Sequence, residues 1–305
     1  MNLAKRLLLT TRYYSTSLSR WEDKRRRCAE GNVPVHILFY HRIADSHPNG
    51  WTMPCETFAR QISWLQRNFR IVGLQEAQRL IASGANHSPT VCITFDDGYA
   101  DNTQFAIPLL LDRKIPFTYF VCSANIRQRQ PFPHDVAAGL PLEPNQADEL
   151  RQLAERGVEI GAHSRTHADL GQLSGETLRE EIVDSKHEIE QLTGKSVNYM
   201  AFPFGLHQNL SREAFRIARE AGYLGVCSAY GGYNFPGSDP FHLERFHADC
   251  EMIRFRTWLG VDPRKVQLVK SYPWKEGEVA SDEPKGSFRS LLKAGRLMAN
   301  ERAGN

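Results

Sequence analysis

The chain has 305 residues, 41% of them hydrophobic and 24% charged, with a formal net charge of +3. That length allows one large domain or two small ones, and a core that needs no disulfide or metal staple. The composition excludes a collagen-like, disordered or coiled-coil protein, the small net charge argues against nucleic acid as a partner, and no run of about 18 apolar residues suggests a membrane span.

Residues 1–32 read as a basic helical extension. Its densest run is Lys24-Arg25-Arg26-Arg27, with Arg20 just before it. A solvated helix face is the plain reading, and peripheral contact with anionic lipid or polymer is the alternative. The apolar Leu7-Leu8-Leu9 is shorter than a secretory core of about 7–15 residues, so the expectation is a cytoplasmic protein, soluble or membrane-peripheral. The six cysteines form no CxxC. Cys92, Cys122 and Cys227 lie in apolar runs and read as buried, reduced thiols.

Val35 to Tyr40 is a short apolar run, read as a buried strand. Phe58, Ile62, Leu65 and Phe69 then recur at helical spacing and define one apolar face. Val91 to Phe95 and Phe117 to Cys122 read as strands, with a helix after Asp101 between them. Pro131, Pro133, Pro141 and Pro144 make the following stretch a loop or lid. A helix over 146–156 ends at Gly157, and Val158 to Ala162 is a strand. Ser174 and Ser211 read as caps of two further helices, closed by Gly194 and Gly222. Between and after those helices, 197–201 and 224–227 read as strands. This alternation argues for a parallel α/β architecture. Residues 265–305 read as a polar, flexible tail.

The chemistry-bearing residues follow the strands, where a parallel sheet gathers its active-site loops. Asp96 and Asp97 follow the strand ending at Phe95; as an isolated pair they read equally as helix N-caps. His163 and His167 follow the strand ending at Ala162, and their HxxxH spacing puts both imidazoles on one face of a helical turn. One carboxylate and two imidazoles make a three-ligand set for a borderline cation such as Zn²⁺ and leave a position open. The same set suits Co²⁺, Ni²⁺ or Fe²⁺. Phe202-Pro203-Phe204-Gly205 follows the next strand, a tight turn that can aim an N–H at a developing oxyanion.

Thr94-Phe95-Asp96-Asp97-Gly98, His163-Ser164-Arg165-Thr166-His167 and Phe202-Pro203-Phe204-Gly205 resemble the first three motifs of the polysaccharide deacetylases, the NodB-homology or carbohydrate esterase family 4 enzymes. Leu38-Phe39-Tyr40-His41-Arg42 is similar to the lead-in of the exopolysaccharide branch. The resemblance covers about residues 33–260. It implies a distorted (β/α)7-type barrel over 33–264 and removal of N-acetyl groups from a GlcNAc-type oligo- or polysaccharide. It implies a metal, most simply Zn²⁺, on Asp97, His163 and His167. Asp96 would be the base that activates the metal-bound water, and the Phe204 N–H would hold the oxyanion. A relative cleaving another non-peptide C–N bond and an inactive saccharide-binding protein are the alternatives.

Two departures sharpen the expectation. Many family members carry Arg where this chain has Ala201, pairing with the catalytic carboxylate; Arg245 is the expected substitute. Many supply the general acid as a late His, for which His247 is preferred over His242. His134-Asp135 is expected to line the cleft. Tyr99, Phe132, Phe204, Tyr230, Tyr233 and Phe235 suit a rim that stacks against sugar faces, and equally suit the core.

Overall fold

The computed structural model describes residues 3–140 and 142–275. Nine short strands form one parallel sheet: β1 Val35–Tyr40, β2 Arg70–Val72, β3 Thr90–Phe95, β4 Thr118–Val121, β5 Glu159–Ala162, β6 Tyr199–Ala201, β7 Gly225–Cys227, β8 His242–Leu243 and β9 Phe246–His247. Their spatial order is β8-β7-β6-β5-β4-β3-β1-β9, with β2 also beside β3. All six residues of β3 pair with β1, while its other edge pairs first with β2 and then with β4.

The curl of the sheet follows from β8 and β9, two ends of one extended run. Leu243 pairs with Cys227 of β7, and Phe246 pairs with Leu38 of β1. Residues 242–247 therefore touch both edges and close a distorted (β/α)7-type barrel. Asn234 clips this seam: its side-chain amide donates to the carbonyls of Val35 and Glu244 and accepts from the Glu244 N–H at 2.8 Å. A short, fully polar residue does this because every peptide group at a closed seam must find a partner.

Alternation along each strand divides the core. One face points into the barrel, where Val35, Ile37, Cys92, Phe120, Tyr199, Ala201, Cys227 and Leu243 pack on the helix Leu74–Ala82, which plugs the floor. The other face packs on the surrounding helices, including Cys55–Asn68, whose Phe58, Ile62 and Leu65 are wholly buried. Phe120 fills the interior so tightly that a Cβ on Gly161 would lie 2.4 Å from its ring. Ser211 caps its helix through the Ala214 N–H at 3.1 Å, whereas the Ser174 hydroxyl makes no cap bond.

Three features differ from the sequence reading. Residues 70–82 carry a strand and the floor helix, neither expected. The proline-rich stretch contains a short helix, Pro133–Ala137. Residues 265–275 are not a loose tail: Pro263–Leu268 is helical, and Tyr272 and Trp274 stack on Phe215 at 5.7 and 5.1 Å between ring centres. Two aromatic side chains outweigh the polar neighbours that suggested a tail. Residues 276–305 lie outside the described part. Two helices, Leu3–Ser15 and Ser17–Glu30, precede the barrel along its flank.

Candidate active site at the strand C-termini

Each strand exit that the sequence singled out opens onto the same end of the barrel. The backbone there is unusual. Among the described residues, eight non-glycine residues have positive φ, and Asp97 (75°), Ser164 (59°), His167 (62°) and Phe204 (62°) are four of them. Such conformations cost about 1–3 kcal/mol each and cluster where surrounding structure enforces them for function. Gly98, at φ 80°, completes the first turn, where a Cβ would meet Val121 at 2.9 Å.

The HxxxH segment is not helical, contrary to the reading of its spacing. His163 leaves β5, and the next four residues form a loop with two left-handed positions. The two imidazoles converge all the same. Their Nε2 atoms lie 3.4 and 3.3 Å from the same Asp97 oxygen, Oδ1. One ligand atom from each of the three residues falls within 4.8 Å of the others. His163 Nδ1 is 2.8 Å from the Ala201 carbonyl, so Nδ1 donates there and Nε2 is the atom turned toward Asp97.

The fit to a cation rests on the orphaned oxygen. Asp97 Oδ1 is buried and has no aligned hydrogen-bond partner among the described residues. Burial alone would raise the Asp97 pKa, but the neighbouring imidazoles outweigh it and hold the group well below the usual carboxylate range. One carboxylate oxygen and the two imidazole nitrogens that face it are a donor set that a divalent ion would complete, the ion replacing the protons the nitrogens otherwise share with Asp97.

Asp96 is built for another task. Its two oxygens receive the Arg245 guanidinium in a fork, Nη1 to Oδ1 at 2.7 Å and Nη2 to Oδ2 at 2.9 Å. Arg245 is fully buried; it also donates to Thr94 Oγ1 and the Ser228 carbonyl and lies over the rings of Phe39 and Phe120. Burial pushes the Asp96 pKa up, Arg245 pulls it down further, and the net shift is downward. At Ala201 the side chain is only a methyl, buried in the barrel interior.

His247 and His242 part company. His247 is half-buried in the barrel mouth beside Phe39, His41 and Trp51, with ring centres 5.4, 6.0 and 5.9 Å away. Burial, then His41 and Arg254, pushes its pKa down to about 3, so it rests neutral. His242 is buried outside the barrel wall, edge-on to Phe215, with Nε2 2.9 Å from Ser228 Oγ. It is a core histidine.

The rim is narrower than expected. Phe204 and His134 are half-exposed, their rings 5.0 and 6.3 Å from His167. Tyr99 is fully buried and cannot face a substrate. Its hydroxyl donates to Asp135 Oδ2 at 2.7 Å, and Asn49 donates to the other oxygen, tying the proline-rich loop down. Phe132 is also buried, stacked under His134. Tyr230 and Tyr233 are core residues that hydrogen-bond Glu244 and the Trp258 carbonyl, and Phe235 packs under Arg27.

Three groups escaped the sequence reading. His41, at the exit of β1, packs on Trp51 at 4.6 Å and faces the Asp96–Asp97 pair; burial lowers its pKa while both carboxylates oppose that. Its place one residue past a strand was a signal that strand exits offer. Trp51 is half-exposed over the same mouth. Glu181 sits in a π-helical turn, Glu180–Asp184, and accepts from the backbone N–H groups of Arg165 and Thr166 at 2.9 Å each and from the Thr166 hydroxyl.

The family model described as polysaccharide deacetylase matches residues 83–226. The putative polysaccharide deacetylase YxkH of Bacillus subtilis is 26% identical over 205 residues, 66% of this chain and 67% of the relative. Three further curated relatives are matched over 18%, 48% and 57% of their own lengths. Among solved structures, IcaB from Ammonifex degensii superposes with a TM-score of 0.62 at 21% identity, over 75% of this chain and 98% of that one. The Streptococcus pyogenes deacetylase PplD, solved with acetate, gives 0.64 at 19% identity, over 76% and 100%. With the motif residues gathered at one barrel mouth, residues 83–226 carry a likeness to the polysaccharide deacetylases, a family of hydrolases.

Proposed function

We propose that this chain removes the N-acetyl group from a GlcNAc-type saccharide of the exopolysaccharide kind, with a divalent metal, Zn²⁺ before Co²⁺, Ni²⁺ or Fe²⁺, held by Asp97, His163 and His167. The observation that carries the reading is the division between adjacent carboxylates: Asp96 is forked by Arg245, whereas Asp97 faces two imidazoles.

A bound divalent ion supplies Lewis acidity, polarising the acetyl carbonyl and lowering the pKa of a water towards 7. The chain's own groups do the rest. Asp96, kept ionised, accepts the proton of the attacking water, an effect of roughly 10²–10⁴ in rate. Arg245 fixes which lone pair of Asp96 faces that proton. The Phe204 N–H, presented by the left-handed turn at Phe204 and Gly205, steadies the oxygen on which charge builds. The C–N bond then breaks, and His247 passes a proton to the leaving amine. His247, neutral at rest, takes up the proton that Asp96 received from the water, as negative charge growing nearby raises its basicity, so that proton leaves on the amine and Asp96 is ionised again. Phe204 and His134 border the acetyl site, on the side of His167.

The test is acetate release from GlcNAc oligomers with and without chelator. Release that stops with chelator and returns with added metal is expected. Saccharide binding without acetate would mark an inactive binding protein, and turnover of another amide alone would move the substrate class.

A further inference from the structure

Five of the eleven large hydrophobic side chains exposed among the described residues lie between residues 7 and 21: Leu7 (58%), Leu8 (70%), Tyr14 (60%), Leu18 (66%) and Trp21 (53%). They are not scattered. The two N-terminal helices run on through Thr16, whose N–H reaches the Arg12 carbonyl and whose own carbonyl receives the Arg20 N–H. Along this nearly continuous helix Leu7, Tyr14, Leu18 and Trp21 follow one another at steps of seven, four and three, which is one face. The opposite face, with Leu9, Tyr13, Thr16, Arg20, Asp23 and Arg27, is the half-buried one that lies on the barrel. Folding therefore leaves this apolar stripe outward.

Charge sits around the stripe. Residues 1–30 hold eight Lys and Arg against three Asp and Glu, a net of +5, so the remaining residues carry 3 − 5 = −2. Lys24, Arg25 and Arg26 are exposed, and the Arg25 guanidinium lies 4.7 Å over the Trp21 ring. Leucines, a tyrosine and a tryptophan rimmed by cations match the headgroup zone of an anionic bilayer: the rings sit at the interface and the cations meet lipid phosphate. A nucleic acid would match the charge and leave the leucines in water.

The stripe has a defined relation to the barrel. Arg6 approaches Glu251 at 4.0 Å, four residues past His247 at the mouth, while Asn32 pairs with Asn86 near the floor. The helix thus runs the height of the barrel, with its Leu7 end on the mouth side.

We propose that this stripe docks the enzyme on an anionic lipid surface. Docking brings the mouth close to lipid headgroups, where a saccharide on a lipid carrier or a chain emerging from the membrane is presented. The attachment is independent of the deacetylation read from the site, and so is its test.

The full chain is mixed with vesicles of equal phosphatidylglycerol and phosphatidylcholine, or of phosphatidylcholine alone, and sedimented. Sedimentation with the anionic vesicles, weakened at 0.5 M salt, is expected. L18E/W21E and, separately, R25E/R26E should each reduce the bound fraction on the order of 10-fold. Acetate release from a soluble oligomer should persist in both, which reports an intact barrel. The fluorescence lost in W21F should be the component that shifts to the blue with vesicles. Wild-type chain left in the supernatant overturns the proposal. So does a wild-type dimer that L18E/W21E turns into monomer with no change in vesicle binding, because the stripe would then belong to a second copy.

Discussion

Arg245 reaches Asp96 from the link between β8 and β9, at the seam of the barrel, and the two side chains meet as a two-point fork at 2.7 and 2.9 Å. Both are buried, so neither charge has water to fall back on. Removing one side of a buried pair costs about 3–5 kcal/mol and frees the other group to turn. R245A should therefore lower kcat by about 10²-fold with metal content retained, and should lower the thermal midpoint. R245K keeps a charge and loses the fork, so it should recover only part of kcat. Unchanged kcat in folded R245A would return the orienting role to another group.

The closure of the sheet into a barrel came from the family resemblance alone, while its active end was legible because strands alternate with helices and the chemistry follows the strands. That placed Asp96, Asp97, His163, His167 and Phe204 at one end, and the Ala201 departure directed attention to Arg245. The HxxxH loop shows where spacing misleads: a separation of four suits a helix, yet left-handed backbone at Ser164 and His167 achieves the same convergence without one. Tyr230 and Tyr233 could not be sorted into rim and core by composition, because each has an apolar body and a polar tip. Only packing decides, as with Tyr233 beneath Trp258.

Replacing His163 or His167 with Ala should remove bound metal together with activity, since three protein donors hold an open site. Elemental analysis of the purified variants measures this directly. H163A retaining full metal would move the ligand set elsewhere.

The adjacent carboxylates should separate cleanly. D96N should keep metal and lose roughly 10²-fold or more in kcat, because an amide takes no proton. D97N should lose metal, its ionised oxygen being the group without a hydrogen-bond partner. Metal loss in D96N with retention in D97N would exchange the two roles.

Acid should unfold the barrel early. His36 is buried among Phe69, Tyr233 and Phe246, and burial, then Lys265, pushes its pKa down to about 3. His242 is likewise buried and lowered to about 3. The unfolded chain binds these protons near pH 6.5 and the folded chain does not. Stability is therefore complete above that pH and is lost as pH falls toward 3, on the order of 1 kcal/mol per pH unit for each histidine. Urea midpoints at pH 7.5, 6 and 5 should fall in that order. H36F, which keeps the ring shape and removes the proton site, should flatten the slope; an unchanged slope would assign it to other groups.

Glu181 ties the shape of one helix to the loop between His163 and His167. An ordinary α-helix would run from Gly175 to Thr193, but a π-helical turn at Glu180–Asp184 adds a residue to the ring and shifts what faces inward. The side chain so delivered is a buried carboxylate that accepts two consecutive backbone N–H groups, of Arg165 and Thr166, and the Thr166 hydroxyl. These residues lie between His163 and His167, so Glu181 holds the loop whose left-handed positions aim both imidazoles. It lies outside the Asp97–His163–His167 group, bonds only to the loop between the two histidines, and would act by positioning. Groups behind metal ligands typically change metal affinity 10- to 100-fold when removed. E181A should weaken metal binding by about that factor, read by competition with a chromophoric chelator, while kcat at saturating metal stays within a few-fold. E181Q keeps one carbonyl acceptor and turns the other position into a donor, so it should fall between the two. Metal affinity unchanged in folded E181A, or kcat lost even at saturating metal, would show that the loop holds its shape without this carboxylate or that Glu181 acts in the reaction itself.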